Sequence, residues 1–406
     1  VKLLRNTVFL KRTFYVLFLV KLVAVFFVSE ESIKVFEDYS LAENLYNTGD
    51  FFYNHDGVDN RSFQFPVYPY VLYSLMLITG LSLKTALLIQ ILCIGFGSVL
   101  IVEALFSYFE RRTSRLTESS KEILKIVILL FPFINYYAYF TAHTFAFNFL
   151  MLSLFIWVSE RFLTGKSKWW VLGLTFGLLL LQRSSLVVLV LFPLIDQLNT
   201  RQLKVRTWIA IFILASISPL SWSYRNYQVD DVFGMTSTTG KILWKGSIPE
   251  SSGSNYIEGN DNYYEYFPDS LKKTFGSLTV REQNESFLEL YEMNKKDKGA
   301  FIKTYWIKLK SFFMFRKGIG TEYSSQSIIY VYQFYYVVLV LLVILALIRY
   351  KELLLPLLLP FVCLGLFQAW FYVEMRHRII YEPILIIITY ILIQQFSFKK
   401  SEKIST

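Results

Sequence analysis

VYPYVLYSLMLITG, residues 67–80, is the apolar run on which the topology of this chain turns. It is shorter than the roughly 20 residues that cross a bilayer as a helix. Ten other apolar runs surround it: 13–29, 84–109, 122–141, 145–160, 169–182, 184–198, 207–222, 328–348, 353–372 and 379–396. If 67–80 spans, the basic stretch ERRTSRLTESSK (110–121) falls outside and later loops lose their consistency. If it lies along the membrane surface, every short basic loop falls on one side. Those loops are 110–121, 160–168 (Arg161, Lys166, Lys168), 199–206 (Arg201, Lys204, Arg206), Arg349–Lys351 and the tail Lys399–Lys403. Short loops rich in Lys and Arg stay in the cytoplasm, so the second arrangement is expected. It gives an all-α polytopic membrane protein of about ten transmembrane helices, a juxtamembrane helix over 67–80, and both termini cytoplasmic.

Composition agrees. Of 406 residues, 54% are hydrophobic and only 18% charged, with mean hydropathy +0.42, more apolar surface than a soluble domain hides. The net charge of +10 comes mostly from Lys and Arg in short loops, where it encodes orientation, so nucleic acid is not an expected partner. Cys93 and Cys363 sit inside apolar runs and imply no disulfide framework, and the three His have no ligand spacing. No metal set and no required cofactor emerge. The basic start (Lys2, Arg5, Lys11, Arg12) precedes an apolar run with no small-residue cleavage site, which reads as a retained first helix.

Three parts follow: a transmembrane module over 1–222 containing an external loop at 30–83, a large external loop at 223–327, and C-terminal helices with a short tail over 328–406. The segment TYWIKLKSFFMFRK (304–317) alternates aromatic and basic residues, as expected at outer headgroups.

This orientation collects ionisable groups on the outer side: Glu37 and Asp38, His143, Arg183, Arg225, and the run Glu374, Arg376, His377 and Arg378. Arginine suits bidentate phosphate binding, and a carboxylate can take a proton from an attacking hydroxyl. Each group has a plainer reading. Asp38 suits a cap for the helix expected over DYSLAENLYNTG (38–49), with Gly49 as its stop, and Glu37 competes for the base role. Arg183 suits snorkelling to headgroups, and His143 an interfacial position. Tyr53, Tyr68, Trp222, Trp244, Tyr263 and Tyr264 suit stacking on sugars or interfacial anchoring alike. Asn60 and Asn284 begin glycosylation sequons.

Five stretches together resemble the GT-C superfamily of integral-membrane glycosyltransferases, in the bacterial branch of protein O-mannosyltransferases and aminoarabinose transferases. They are EDYSLAENLYNTGDFF (37–52), QFPVYPYVLYSLMLITGLS (64–82), LGLTFGLLLLQRSSLVVLVLFP (172–193), SWSYRNYQVDDVFGMTSTTGKILWKG (221–246) and VEMRHRIIYEP (373–383). The resemblance implies a GT-C-like bundle with a juxtamembrane helix, and residence in a bacterial cytoplasmic membrane with the active site on the outer face. It also implies a polyprenyl-phosphate sugar donor and a glycan, lipid or protein acceptor. By the same resemblance Asp38, with Glu37 as rival, becomes the base, and Arg183, Arg225, Arg376 and Arg378 become contacts for donor phosphate. Candidate substrate-binding residues are His143, Tyr68, Asn226, Glu374 and His377. Gln64 stands where the family has Arg, and His143 stands where relatives carry an acid, so a divalent ion would find few oxygen ligands. Two other readings of the same inventory are a polysaccharide polymerase and a lipid-linked sugar transporter or flippase. The lack of paired halves with broken helices runs against the latter.

Overall fold

Asn6 caps the first helix of the computed structural model, its side chain accepting from the Phe9 N–H; residues 6–55, 57–112, 116–249, 266–314, 326–373 and 376–405 are described. Helix α1 (Thr7–Ala24) leads through two 3₁₀ turns to strand β1 (Lys34–Val35) and helix α2 (Glu37–Thr48). A β-hairpin of β2 (Tyr53–His55) and β3 (Val58–Asn60) follows, then α3 (Val67–Thr79) and α4 (Leu83–Glu110). Next come α5 (Glu118–Leu129), α6 (Pro132–Phe140), β4 (Thr141–Ala142), α7 (Phe145–Leu163), α8 (Trp169–Gln182), a 3₁₀ stretch (Ser184–Val190) and α9 (Leu191–Asn199). The chain continues with α10 (Val205–Asp230), α11 (Thr239–Ser247), α12 (Asp269–Thr274), α13 (Val280–Lys296), α14 (Lys298–Phe313), α15 (Gln326–Trp370), α16 (Arg376–Ile379) and α17 (Glu382–Ser405). Among the described residues helices dominate, and four strands make two short pairs.

The pivotal run 67–80 is α3, 13 residues ended by Gly80 at φ 78°. At 1.5 Å per residue it rises about 20 Å, too little to cross a hydrocarbon core of about 30 Å. Its Tyr68, Leu72 and Met76 are buried at helical spacing, while Leu77 and Ile78 are exposed.

Among the described residues four helices are long and apolar enough to cross a membrane: α4, α7, α10 and the apolar length of α15. The pair α5 and α6, bent by 41° at the break before Pro132, makes a fifth when taken as one broken span. The stretches 169–182 and 184–199 are shorter apolar helices. The runs 328–348 and 353–372 form one 45-residue element, broken at Tyr350, where φ −131° and ψ 41° interrupt the helix beside the basic turn Arg349–Lys351.

One core runs through the bundle, with α4 packed chiefly on α7 and α8 on α10. Charged groups close one end of it. Arg111 meets Glu160 at 2.6 Å, Arg112 pairs with Asp196, and the Tyr108 hydroxyl donates to the Leu353 carbonyl at 2.7 Å. The short basic loops after α4, α7 and α9, and the break in α15, thus converge at that end. The loop at 223–327 has a core of its own, in which Trp244, Phe267, Phe275 and Phe287 pack together. Trp244, 2% exposed, is a core residue rather than a sugar platform, and Tyr263 and Tyr264 lie outside the described residues.

Candidate active site

Phe36, in extended conformation, is the N-cap of α2 and offers no side-chain acceptor. The helix therefore begins at Glu37, and both acids occupy its first turn; the expectation that Asp38 caps the helix is corrected on this point. Two carboxylates there suit the positive end of the helix. Gly49 ends the helix in the left-handed region at φ 77°, as its position in the sequence suggested.

The start of α2 is fastened to the loop before α7. Strand β1 pairs in parallel with β4, Lys34 opposite Thr141, and the Phe36 N–H donates to the Ala142 carbonyl at 3.3 Å. Gln90, fully buried within α4, holds that loop from below. Its Nε2 donates to the Thr141 carbonyl at 2.8 Å, and its Oε1 accepts from the His143 N–H. The His143 ring stands edge-on to Phe36 at 4.8 Å.

These elements open onto a cavity of about 550 Å³. Glu37, Asp38, His143, Arg183 and His377 all line it. Asp38 is 3% exposed, while Glu37, His143 and Arg183 are half-buried. Arg183 ends α8 in extended backbone, its Nε donating to Ser185 Oγ at 3.2 Å. His377 packs by Tyr372. Two cations that sequence reasoning missed, Lys241 and Lys245, line the cavity one helical turn apart on α11. Their i, i+4 spacing in TGKILWKG was the available signal. The second set missed is the amides Gln64, Asn148, Gln182 and Gln368.

Other candidates sit elsewhere. Arg378 is not among the lining residues: it is 1% exposed, donates from Nε to Glu382 at 3.2 Å, and its guanidinium lies 3.7 Å from the Tyr336 ring centre. A buried carboxylate and two tyrosines thus engage the group expected to meet phosphate. Arg225 stacks on Trp222 and donates to the Arg61 carbonyl, away from the cavity lining. Asn226 donates to the carbonyls of Gly234, at 2.8 Å, and Met235. Asn226 therefore positions the strap that leads into α11, while Arg225 holds the first loop at Arg61. The Ser237 N–H donates to the Ser62 carbonyl, and Asn60 accepts from the Ser237 hydroxyl, which ties this strap to the first loop. Asn60, 7% exposed in that knot, is no accessible sequon. Tyr68 is fully buried under the site, and burial is the chief cause that pushes its hydroxyl up. Arg376 begins α16 but its side chain lies outside the described residues, as does all of Glu374.

Among the described residues no group of three or more His, Cys, Asp or Glu side chains is arranged as a metal-ligand set. The cavity instead combines two carboxylates with three cations of the Lys and Arg type. The chain matches no family model, no curated protein and no solved structure.

Proposed function

We propose that this protein is a membrane glycosyltransferase of GT-C type, moving a sugar from a polyprenyl-phosphate donor to a hydroxyl acceptor on the non-cytoplasmic face. The observation that carries the reading is the shared cavity of Asp38 and Glu37 with Arg183, Lys241 and Lys245. Cations of that kind neutralise a phosphate leaving group, and a carboxylate that lines the same cavity is a proton acceptor for the attacking hydroxyl. In the transfer, the acceptor oxygen attacks the anomeric carbon, the bond from that carbon to the phosphate oxygen breaks, and the electron pair leaves on the phosphate. Asp38 takes the acceptor's proton. Arg183 stays from the set expected from sequence, and Lys241 and Lys245 take the places of Arg378 and Arg225, which are engaged elsewhere.

Ten crossings belong to the same proposal, with α3 along the outer surface and the basic end in the cytoplasm. From Gln90 beside the cavity to Arg111 at the basic end, α4 rises about 30 Å, one hydrocarbon core.

The test is transfer in detergent from a short-chain polyprenyl-phosphate monosaccharide to a hydroxyl acceptor. Asp38→Asn is expected to lose about 10²- to 10⁴-fold in turnover, the usual worth of a general base, while purifying as a folded protein. Wild-type turnover in that variant removes Asp38 from the mechanism. Absence of product from the wild-type protein, with lipid-linked sugar crossing reconstituted vesicles, would assign transport instead.

A further inference from the structure

Gln182 ends α8 and Asn148 lies in the first turns of α7; they are 3% and 1% exposed, and both line the cavity. Gln182 Nε2 donates to Asn148 Oδ1 at 2.9 Å and also to the Thr144 hydroxyl. The other half of each amide, Gln182 Oε1 and Asn148 Nδ2, has no hydrogen-bond partner among the described residues. Turning both amides over exchanges the atoms but again leaves one acceptor and one donor open, so the pattern does not depend on how they are assigned.

Native proteins rarely bury polar atoms without partners. Two such atoms on neighbouring residues of a cavity lining, each shut off from the cavity space, mark a place that something else completes once the amides turn to meet it. The completing group must donate to one atom and accept from its neighbour. A phosphate or carboxylate meets the open carbonyl oxygen with repulsion, and an ammonium leaves the open N–H unmet. A hydroxyl does both. The neighbouring residue, Arg183, belongs to the proposed phosphate site, so the hydroxyl in question lies close to the phosphate-bearing carbon.

We infer that Gln182 and Asn148 form a subsite that reads one ring hydroxyl of the transferred sugar and sets donor specificity. This rests on the glycosyltransferase reading above. A site built to hydrogen-bond a hydroxyl rejects the analogue lacking it far more strongly than an apolar pocket discriminates a methylene, because its buried atoms are then left unmatched.

The experiment measures kcat/KM for transfer from short-chain polyprenyl phosphates carrying glucose, galactose or mannose, and from monodeoxy forms of whichever donor reacts best. Wild-type protein is expected to reject one monodeoxy form by about 100-fold or more. In Gln182→Met and in Asn148→Leu that ratio is expected to fall below about 5-fold, the ratios for the other positions staying as they were. Each ratio is taken within one preparation, so partial misfolding of a variant does not alter it. If neither variant folds, the wild-type series decides on its own: one rejected position supports the subsite, and uniform acceptance overturns it. Uniform acceptance, or discrimination that survives both substitutions, means that a trapped water fills the gap and the subsite is wrong although the transferase reading stands. No transfer from any of the donors overturns that reading and the subsite with it.

Discussion

Arg378 shows how a single side chain changes meaning once its surroundings are known. In VEMRHRIIYEP it is one of several cations at an outer turn, yet its guanidinium is sealed between Glu382, Tyr332 and Tyr336. Removing one member of a buried ion pair costs about 3–5 kcal/mol, because the other charge stays in a medium that solvates it poorly. Arg378→Met is therefore expected to lower thermal stability in detergent sharply, with Glu382→Leu doing likewise. The double substitution Arg378→Met, Glu382→Leu is expected to recover much of the loss, since a packed apolar pair leaves no uncompensated charge. Two single losses that simply add in the double variant would contradict the pairing. Residual Arg378→Met protein should keep the wild-type KM for donor, a result that a phosphate contact would not give. Five candidates named from sequence, Glu37, Asp38, His143, Arg183 and His377, line one cavity because each sits at a helix end or short connection at the same end of the bundle. Charge pattern marks such positions in advance. What it cannot mark is which cations face inward: Arg378 and Arg225 read like Arg183 in the sequence, and only tertiary partners separate them.

At the scale of elements, α11 is the part that the sequence described least, since 223–327 reads as one polar loop. Its placement depends on a backbone contact. A Cβ built on Gly246 would come within 2.0 Å of the Phe371 carbonyl oxygen, so only glycine lets α11 lie against the segment after α15. Gly246→Ala is expected to push α11 off this seat, moving Lys241 and Lys245 and raising the KM for donor about tenfold or more; an unchanged KM would separate α11 from donor binding. The same carbonyl accepts from Lys308 Nζ on α14 at 2.7 Å. Burial lowers the Lys308 pKa from 10.5 to about 7. Between those values the unfolded chain binds the proton that the folded one has released, so this group makes stability rise as pH increases from about 7 toward 10, whereas below 7 its buried charge counts fully against the fold. Melting temperature against pH should thus climb more steeply for the wild-type protein than for Lys308→Met. Parallel curves would mean that Lys308 keeps its proton throughout.

The whole molecule is organised by its two ends, and α15 is where that organisation is most open to test. A helix of 45 residues would rise about 68 Å, more than twice a hydrocarbon core, so a single crossing does not accommodate it. The break at Tyr350 lies near the basic end, because Leu353 accepts from Tyr108, three residues before Arg111. The proposed topology makes this element two crossings joined at the cytoplasmic surface, the arrangement expected from the basic turn Arg349–Lys351. Single cysteines at Asn199, Lys296 and Lys351, all exposed positions, placed in a protein whose Cys93 and Cys363 are replaced, report the arrangement directly. A membrane-impermeant maleimide added to intact cells should label Lys296→Cys only, and opening the membrane should add Asn199→Cys and Lys351→Cys. If Lys351→Cys resists labelling even then, the break lies within the bilayer and α15 does not form two spans. If Asn199→Cys and Lys296→Cys react from the same side, α10 does not cross, and the cavity that holds Asp38 loses the outer address on which access to a lipid-linked donor and an external acceptor depends.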